Sequence, residues 1–237
     1  MICLNVLYYV GMIHFKNVSK KYGPHVHALK GLSMHIRPGE FVSVVGSSGA
    51  GKSTMVKMLI AEEKPTTGSI IVGGWDISDI KSHEVPTLRR QIGVIFQDFK
   101  LLPTKTIREN VAFALEVVGA APEHIKKMVP QVLDIVGLQD KMNRYPHQVS
   151  GGEQQRAVIA RALVHKPKII IADEPTGNLD TVNACDVIEI LKRVNDFGTT
   201  VMLVTHDKDI VNKLHKRVIT LQEGSVRADH EEGKYLL

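Results

Sequence analysis

Residues 41–45 read Phe-Val-Ser-Val-Val, a compact apolar run that stops at a glycine-rich segment and gives way to a helical pattern. That order predicts strand, loop, helix. Similar short runs recur at 69–72, 92–96, 168–172, 200–204 and 217–221, and looser strand patterns cover 13–19 and 27–36. The later runs alternate with helical stretches, the pattern of a parallel sheet covered on both faces, so the expected class is α/β. From 97 to 149 the strand pattern disappears. Helices are predicted instead at 106–118, opened by a capping Thr106, and at 122–136, with Pro122 in the first turn, as an insertion over about 98–148. A further helix is predicted at 156–164, and another at 180–195, where Ala184, Val187, Ile188, Leu191 and Val194 make a core-facing stripe. The polar residues 228–237 are expected to fray, leaving one domain over 12–227.

Composition narrows the class little further. A chain of 237 residues with 43% hydrophobic and 23% charged residues suits one globular domain and excludes disordered, collagen-like and disulfide-scaffold classes. Two cysteines, Cys3 and Cys185, give neither a disulfide framework nor metal-ligand spacing, which points to a reducing compartment. The net charge of +5 suits an anionic partner or an ordinary solvated surface equally. The apolar run 1–12 is too short to span a bilayer and lacks a basic flank. Met12 directly precedes a strand pattern, so residues 1–11 are read as an upstream extension with translation starting at Met12.

Chemistry enters at 46–54, Gly-Ser-Ser-Gly-Ala-Gly-Lys-Ser-Thr, which satisfies the P-loop pattern in its required place between strand and helix. Gly46, Ser47, Ser48, Gly49, Ala50, Gly51, Lys52, Ser53 and Thr54 are thus the candidate phosphate cradle. Inward-turned backbone N–H groups and a helix N-terminus would face the phosphates, Lys52 would reach the β and γ groups, and Ser53 would ligate magnesium. Downstream, the run ending Ala-Asp-Glu places Asp173 at a strand end, where a magnesium carboxylate belongs, and Glu174 one step on as general base for the attacking water. ATP with Mg²⁺ is the implied ligand pair.

The stretch 149–155, Val-Ser-Gly-Gly-Glu-Gln-Gln, narrows that broad class. Ser150 and Glu153 form a capping box, a local account that leaves Gly151 and Gly152 unexplained. Glycines at a helix start weaken it, yet they bare the positive helix end to an anion. Here the chain resembles the ATP-binding subunits of ABC transporters, whose signature is LSGGQ, with Val149 and Glu153 departing from the commonest form.

The resemblance runs from Met12 to about Gly224. It implies a P-loop NTPase core with a parallel-rich sheet, an antiparallel β subdomain and an inserted helical subdomain. It also implies an ATP-dependent homodimer in which Ser150, Gly151, Gly152, Glu153 and Asp180 reach the nucleotide of the other subunit. By the same resemblance Tyr22 stacks on adenine, Gln97 links magnesium and lytic water to the helical subdomain, 177–180 is the D-loop, and His206 contacts the γ-phosphate. Taken singly, Tyr22, Gln97 and His206 also read as ordinary surface, strand-end and loop residues; the resemblance rests on their joint order. Segments 96–103 and 109–118 are very similar to the cell-division branch of the family, whose wider group includes lipoprotein-releasing and macrolide-exporting ATPases. That implies an integral membrane partner, membrane contact through it at the cytoplasmic face, and no nucleic acid. Asp98, Phe99, Lys100 and Leu101 are the candidate docking residues. DNA-maintenance and translation ATPases of the family carry a long coiled coil or a second ATPase domain, for which 237 residues have no space.

Overall fold

The structure is a computed structural model and describes residues 12–233. The chain divides into two compact units, one formed by the residues up to Arg89 together with those from Asn195 onward, the other by Arg90–Val194. Residues 1–11, read above as an upstream extension, lie outside the described residues.

In the first unit, strands β1 (Ile13–Tyr22), β2 (Val26–Ile36), β4 (Thr67–Val72) and β5 (Trp75–Asp76) make an antiparallel sheet in the order β2-β1-β4-β5. Its inward face is apolar: Ile13, Phe15 and Val18 of β1 and Leu29, Leu32 and Ile36 of β2 are fully buried. Strand β3 (Phe41–Val45) belongs to a second sheet and pairs in parallel with β8 (Thr200–Val204) on one side and β9 (Arg217–Gln222) on the other. All five residues of β3 and of β8 are buried, which is why both read as unbroken runs rather than alternations. Helix α1 (Lys52–Leu59) follows β3, α2 (Val85–Arg89) is a short turn of helix, and α7 (Lys208–Leu214) places Val211 in a cluster with Val45 and Val218.

Strand β10 (Ser225–His230) pairs antiparallel with β9. Residues 228–230, expected to fray, are therefore ordered strand. Arg217 on β9 fixes them by donating from Nε and Nη2 to both carboxylate oxygens of Asp229, at 2.8 and 2.7 Å. A polar, half-exposed edge strand carries no apolar alternation, so the pattern that finds strands passes over it.

The second unit holds β6 (Ile92–Phe96) and β7 (Ile169–Asp173), parallel and in register from Ile92 opposite Ile169 to Phe96 opposite Asp173. Around them lie α3 (Ile107–Val117), α4 (Pro122–Ile135), α5 (Gly151–Leu163) and α6 (Thr181–Asp196). Thr106 caps α3 as foreseen, in a reciprocal box with Glu109. Buried Asn110 secures the loop before α3 by accepting from the Leu102 N–H at 2.7 Å and donating to the Leu102 and Lys105 carbonyls at 3.1 Å. Helix α5 starts at Gly151, five residues earlier than its apolar pattern suggested, because the cap and not the pattern sets a helix start. Gly93 permits its approach: a Cβ there would stand 2.6 Å from the Ala162 carbonyl oxygen.

Candidate nucleotide-binding and catalytic site

The P-loop leaves β3 at Gly46 and enters α1 at Lys52. Gly46 has φ 155° and Gly51 φ 101°, and a side chain on either would collide with the chain: at Gly46 with the Leu221 carbonyl oxygen, at Gly51 with that of Ala28, 2.6 Å away. Gly49, at φ 79°, faces open space and needs glycine for its backbone alone. The loop is tied down by Ala50 N–H to the Ser47 carbonyl at 3.2 Å and by Gly224 N–H to the Ala50 carbonyl at 3.2 Å. Its outer residues Ser47, Ser48, Gly49 and Ser53 are exposed. Lys52 is half-buried and folds back over the loop, its Nζ donating to the carbonyls of Gly46 at 2.7 Å and Ser47 at 3.1 Å. The ammonium is thus held against the loop itself, on the carbonyls of its first two residues.

Two further candidates belong to this unit. His206 follows β8 and is exposed; Val204 pairs with Val44, and Thr205 N–H donates to the Val44 carbonyl at 3.1 Å, so His206 and Gly46 leave the carboxyl ends of adjacent parallel strands. That edge is where ligands of open α/β sheets bind. Tyr22 ends β1, is 37% exposed, and carries the Lys20 ammonium 5.0 Å from its ring centroid.

The second unit brings Gln97, Asp173 and Glu174 together at the ends of β6 and β7. Phe96 pairs with Asp173, so Gln97 and Glu174 are the next residues on neighbouring strands. Residues 177–180, the expected D-loop, lie against Gln97: Asn178 Nδ2 donates to the Gln97 carbonyl at 3.2 Å, and a Cβ on Gly177 would lie 2.9 Å from Gln97 Nε2. Glu174 is half-buried and takes φ 50°, the left-handed region that a non-glycine side chain disfavours by about 1–2 kcal/mol. Strain of this kind persists where the surroundings over-determine a side chain's direction. Within the second unit the Gln97 amide and the Asp173 carboxylate, on adjacent strand ends, are hard oxygen donors of the kind Mg²⁺ takes. The Ser53 hydroxyl of the first unit is a donor of the same kind.

Ser150 caps α5: its Oγ accepts from Glu153 N–H at 3.3 Å, and Glu153 Oε2 accepts from Ser150 N–H at 2.7 Å. That backbone bond holds the Glu153 carboxyl below the usual range. The two glycines then differ. Gly151 has room for a side chain, its nearest neighbour being Phe99 Cζ at 3.8 Å from a Cβ position, whereas a Cβ on Gly152 would overlap the Asn183 amide. Asp180 accepts at Oδ1 from the N–H groups of Val182 and Asn183, both at 3.0 Å, and so caps α6. Those bonds, with the Asn183 side chain, lower its pKa.

Two residues at the site had no sequence signal. Arg161 on α5 donates from Nη1 to the Lys100 carbonyl at 2.7 Å and from Nη2 to that of Phe99 at 3.2 Å, holding the segment after Gln97. Asn183 stands against Gly152. Arg161 lies far in sequence from Phe99 and Lys100, and Asn183 from Gly152, each inside an ordinary helical pattern.

Residues 29–177 match the ABC transporter family. The chain is 54% identical over 224 residues to the cell division ATP-binding protein FtsE of Bacillus subtilis, covering 94% of this chain and 98% of that one. With FtsE of Escherichia coli K12 it shares 46% over 213 residues, 90% and 96% of the two chains. Among solved structures it resembles the ATP-binding cassette MJ0796, determined as a dimer in a post-hydrolysis state with ADP and Pi, with TM-score 0.85, 36% identity, and coverage of 94% of this chain and all of that one. It also resembles cbiO1 of Clostridium perfringens, part of the cbiONQ complex, with TM-score 0.87, 30% identity, and coverage of 94% and 89%. A P-loop backed by β3, carboxylates at the end of β7 and a capped Ser-Gly-Gly helix accord with those likenesses, and the chain belongs to the ABC transporter family as one of its ATPases.

Proposed function

We propose that the protein is the ATP-hydrolysing subunit of an FtsE–FtsX-type complex, docked on an FtsX-like integral membrane protein at the cytoplasmic face of the plasma membrane. Its ATP cycle would transmit conformational change to peptidoglycan hydrolases during cell division. The observation that carries this reading is the identity of 46–54% with cell-division ATP-binding proteins over at least 90% of the chain.

In this reading the 46–54 loop binds the phosphates of ATP, with Lys52 on the β and γ groups and Tyr22 against the adenine. Mg²⁺, when bound, neutralises phosphate charge and would be held by Ser53, Gln97 and Asp173. Glu174 takes a proton from the attacking water, Gln97 positions that water, and His206 donates to the γ-phosphate as charge develops. Ser150, Gly151, Gly152, Glu153 and Asp180 approach the nucleotide of a second copy, so ATP binding and dimerisation are coupled. Support comes from the bare N-terminus of α5 at Gly151 and from the dimeric form of MJ0796.

The docking surface is a groove of about 530 Å³ lined in part by Asp98, Phe99, Lys100, Leu101, Pro146 and His147. It starts at the residue after Gln97, so an occupant would bear on the segment that continues from the proposed nucleotide-sensing residue. The test is a pull-down from solubilised membranes with the Glu174→Gln protein loaded with ATP and magnesium. Recovery of an FtsX-like protein, lost when Phe99 and Leu101 are both replaced by Ser, is expected. Recovery of a lipoprotein or drug permease would overturn the cell-division role.

A further inference from the structure

Asn183 stands between two charges. Its Nδ2 donates to Asp180 Oδ2 at 2.6 Å, and its Oδ1 accepts from Arg156 Nη1 at 3.5 Å. Arg156 lies on α5, one turn beyond Gly152, and its side chain is 18% exposed; it also faces Asp186 at 3.7 Å. The same amide packs so closely on Gly152 that no Cβ fits there. One short side chain therefore meets the second glycine of the Ser-Gly-Gly turn, the carboxylate that ends the D-loop, and an arginine from the helix that the turn begins.

The chemistry of that position is narrow. The group must donate toward an anion and accept from a cation about one side chain's length apart, and it must be neutral, since a carboxylate would repel Asp180 and an ammonium would repel Arg156. An asparagine amide meets all of these at once. Removing it would leave Asp180 with the N–H groups of its own helix, and Arg156 with Asp186 and the more distant charge of Glu153, among the described residues.

We propose that Asn183 is a positioning residue that locks the Ser150–Gly152 turn and the D-loop to each other, so that both meet the second subunit's nucleotide as one rigid surface. This rests on the proposed two-subunit site. It predicts a division of effects: ATP binding to a single chain, which uses the 46–54 loop, is untouched, while ATP-driven dimerisation and, below saturating ATP, turnover fall. The loss should be about tenfold or more, the effect of one hydrogen bond to a charged group.

Asn183→Leu keeps the shape of the side chain and deletes both bonds, and Asn183→Ala deletes the packing as well. Each is made in the Glu174→Gln protein, and the dimer fraction is followed by sedimentation against ATP concentration with magnesium. A fluorescent ATP analogue gives the affinity of the single chain, and a melting curve gives its stability. The expected result is a dimerisation midpoint raised about tenfold or more for both variants, with analogue affinity held and the melting midpoint lowered only by the few degrees that the lost intrachain contacts cost. In the otherwise native protein, the ATP concentration for half-maximal turnover rises with the dimerisation midpoint, while the single chain's analogue affinity is held. If Asn183→Leu dimerises at the ATP concentration of its parent, or loses analogue affinity in proportion, the inference is wrong. If the Glu174→Gln parent itself does not dimerise with ATP, the two-subunit reading is what fails.

Discussion

Glu174 sits at φ 50° beside Asp173, and the two form one of the few places where the chain accepts backbone strain next to candidate chemistry. Replacing Glu174 with Gly should abolish hydrolysis without lowering the melting midpoint, because relief of about 1–2 kcal/mol of left-handed strain offsets the side chain's lost contacts. A midpoint lower by several degrees would refute that. The paired glycines of α5 give a second contrast. Gly151→Ala has space and gains up to about 1 kcal/mol of helix propensity, yet its methyl would stand at the exposed helix end. We expect a more stable protein that dimerises less well with ATP. Gly152→Ala should instead destabilise the fold, because Asn183 must move. Equal melting shifts for the two substitutions would contradict these assignments. The sequence shows only two adjacent glycines; their difference depends on a residue 31 positions away.

At the level of elements, the β9–β10 hairpin is held by a buried arginine. Arg217 is 6% exposed on its side chain, pairs with both oxygens of Asp229, and donates from Nη1 to Glu40 at 2.9 Å and to the His35 carbonyl at 3.0 Å. The hydrogen bonds from Arg217 hold the Asp229 carboxyl below its ordinary value. The unfolded chain therefore takes up a proton at this carboxyl before the folded chain does. The stabilisation is complete above the ordinary aspartate range and is lost as pH falls through the lowered folded value. Asp229→Asn should cost about 1–2 kcal/mol at neutral pH, less than the cost of breaking a fully buried pair because part of Asp229 faces water. It should also flatten the acid limb of stability against pH. An unchanged acid limb in chemical denaturation would show that the clamp contributes nothing. Its second strand, β10, was illegible beforehand, since its order comes from an ion pair and not from apolar alternation. The runs that became β3, β6, β7, β8 and β9 were legible, because fully covered strands leave continuous hydrophobic text.

Across the whole molecule, legibility followed the range of the interactions. The P-loop could be read because its glycines, lysine and serine lie within nine residues and answer to one local geometry. The Thr106 cap and the Ser150–Glu153 capping box are devices of at most four residues and were read the same way; that Glu109 completes a box with Thr106 was not. Arg161 holding the Phe99 and Lys100 carbonyls, and Asn183 against Gly152, join distant segments and emerge only in the folded chain.

The central claim is that ATP held by the 46–54 loop joins two copies and that Glu174 then releases them by hydrolysis. Sedimentation of the Glu174→Gln and Lys52→Ala proteins, each with and without ATP and magnesium, tests it most directly. The account predicts that ATP drives Glu174→Gln into a persistent dimer and leaves the dimer fraction of Lys52→Ala unchanged. Equal dimer fractions for the two proteins in the presence of ATP would contradict it.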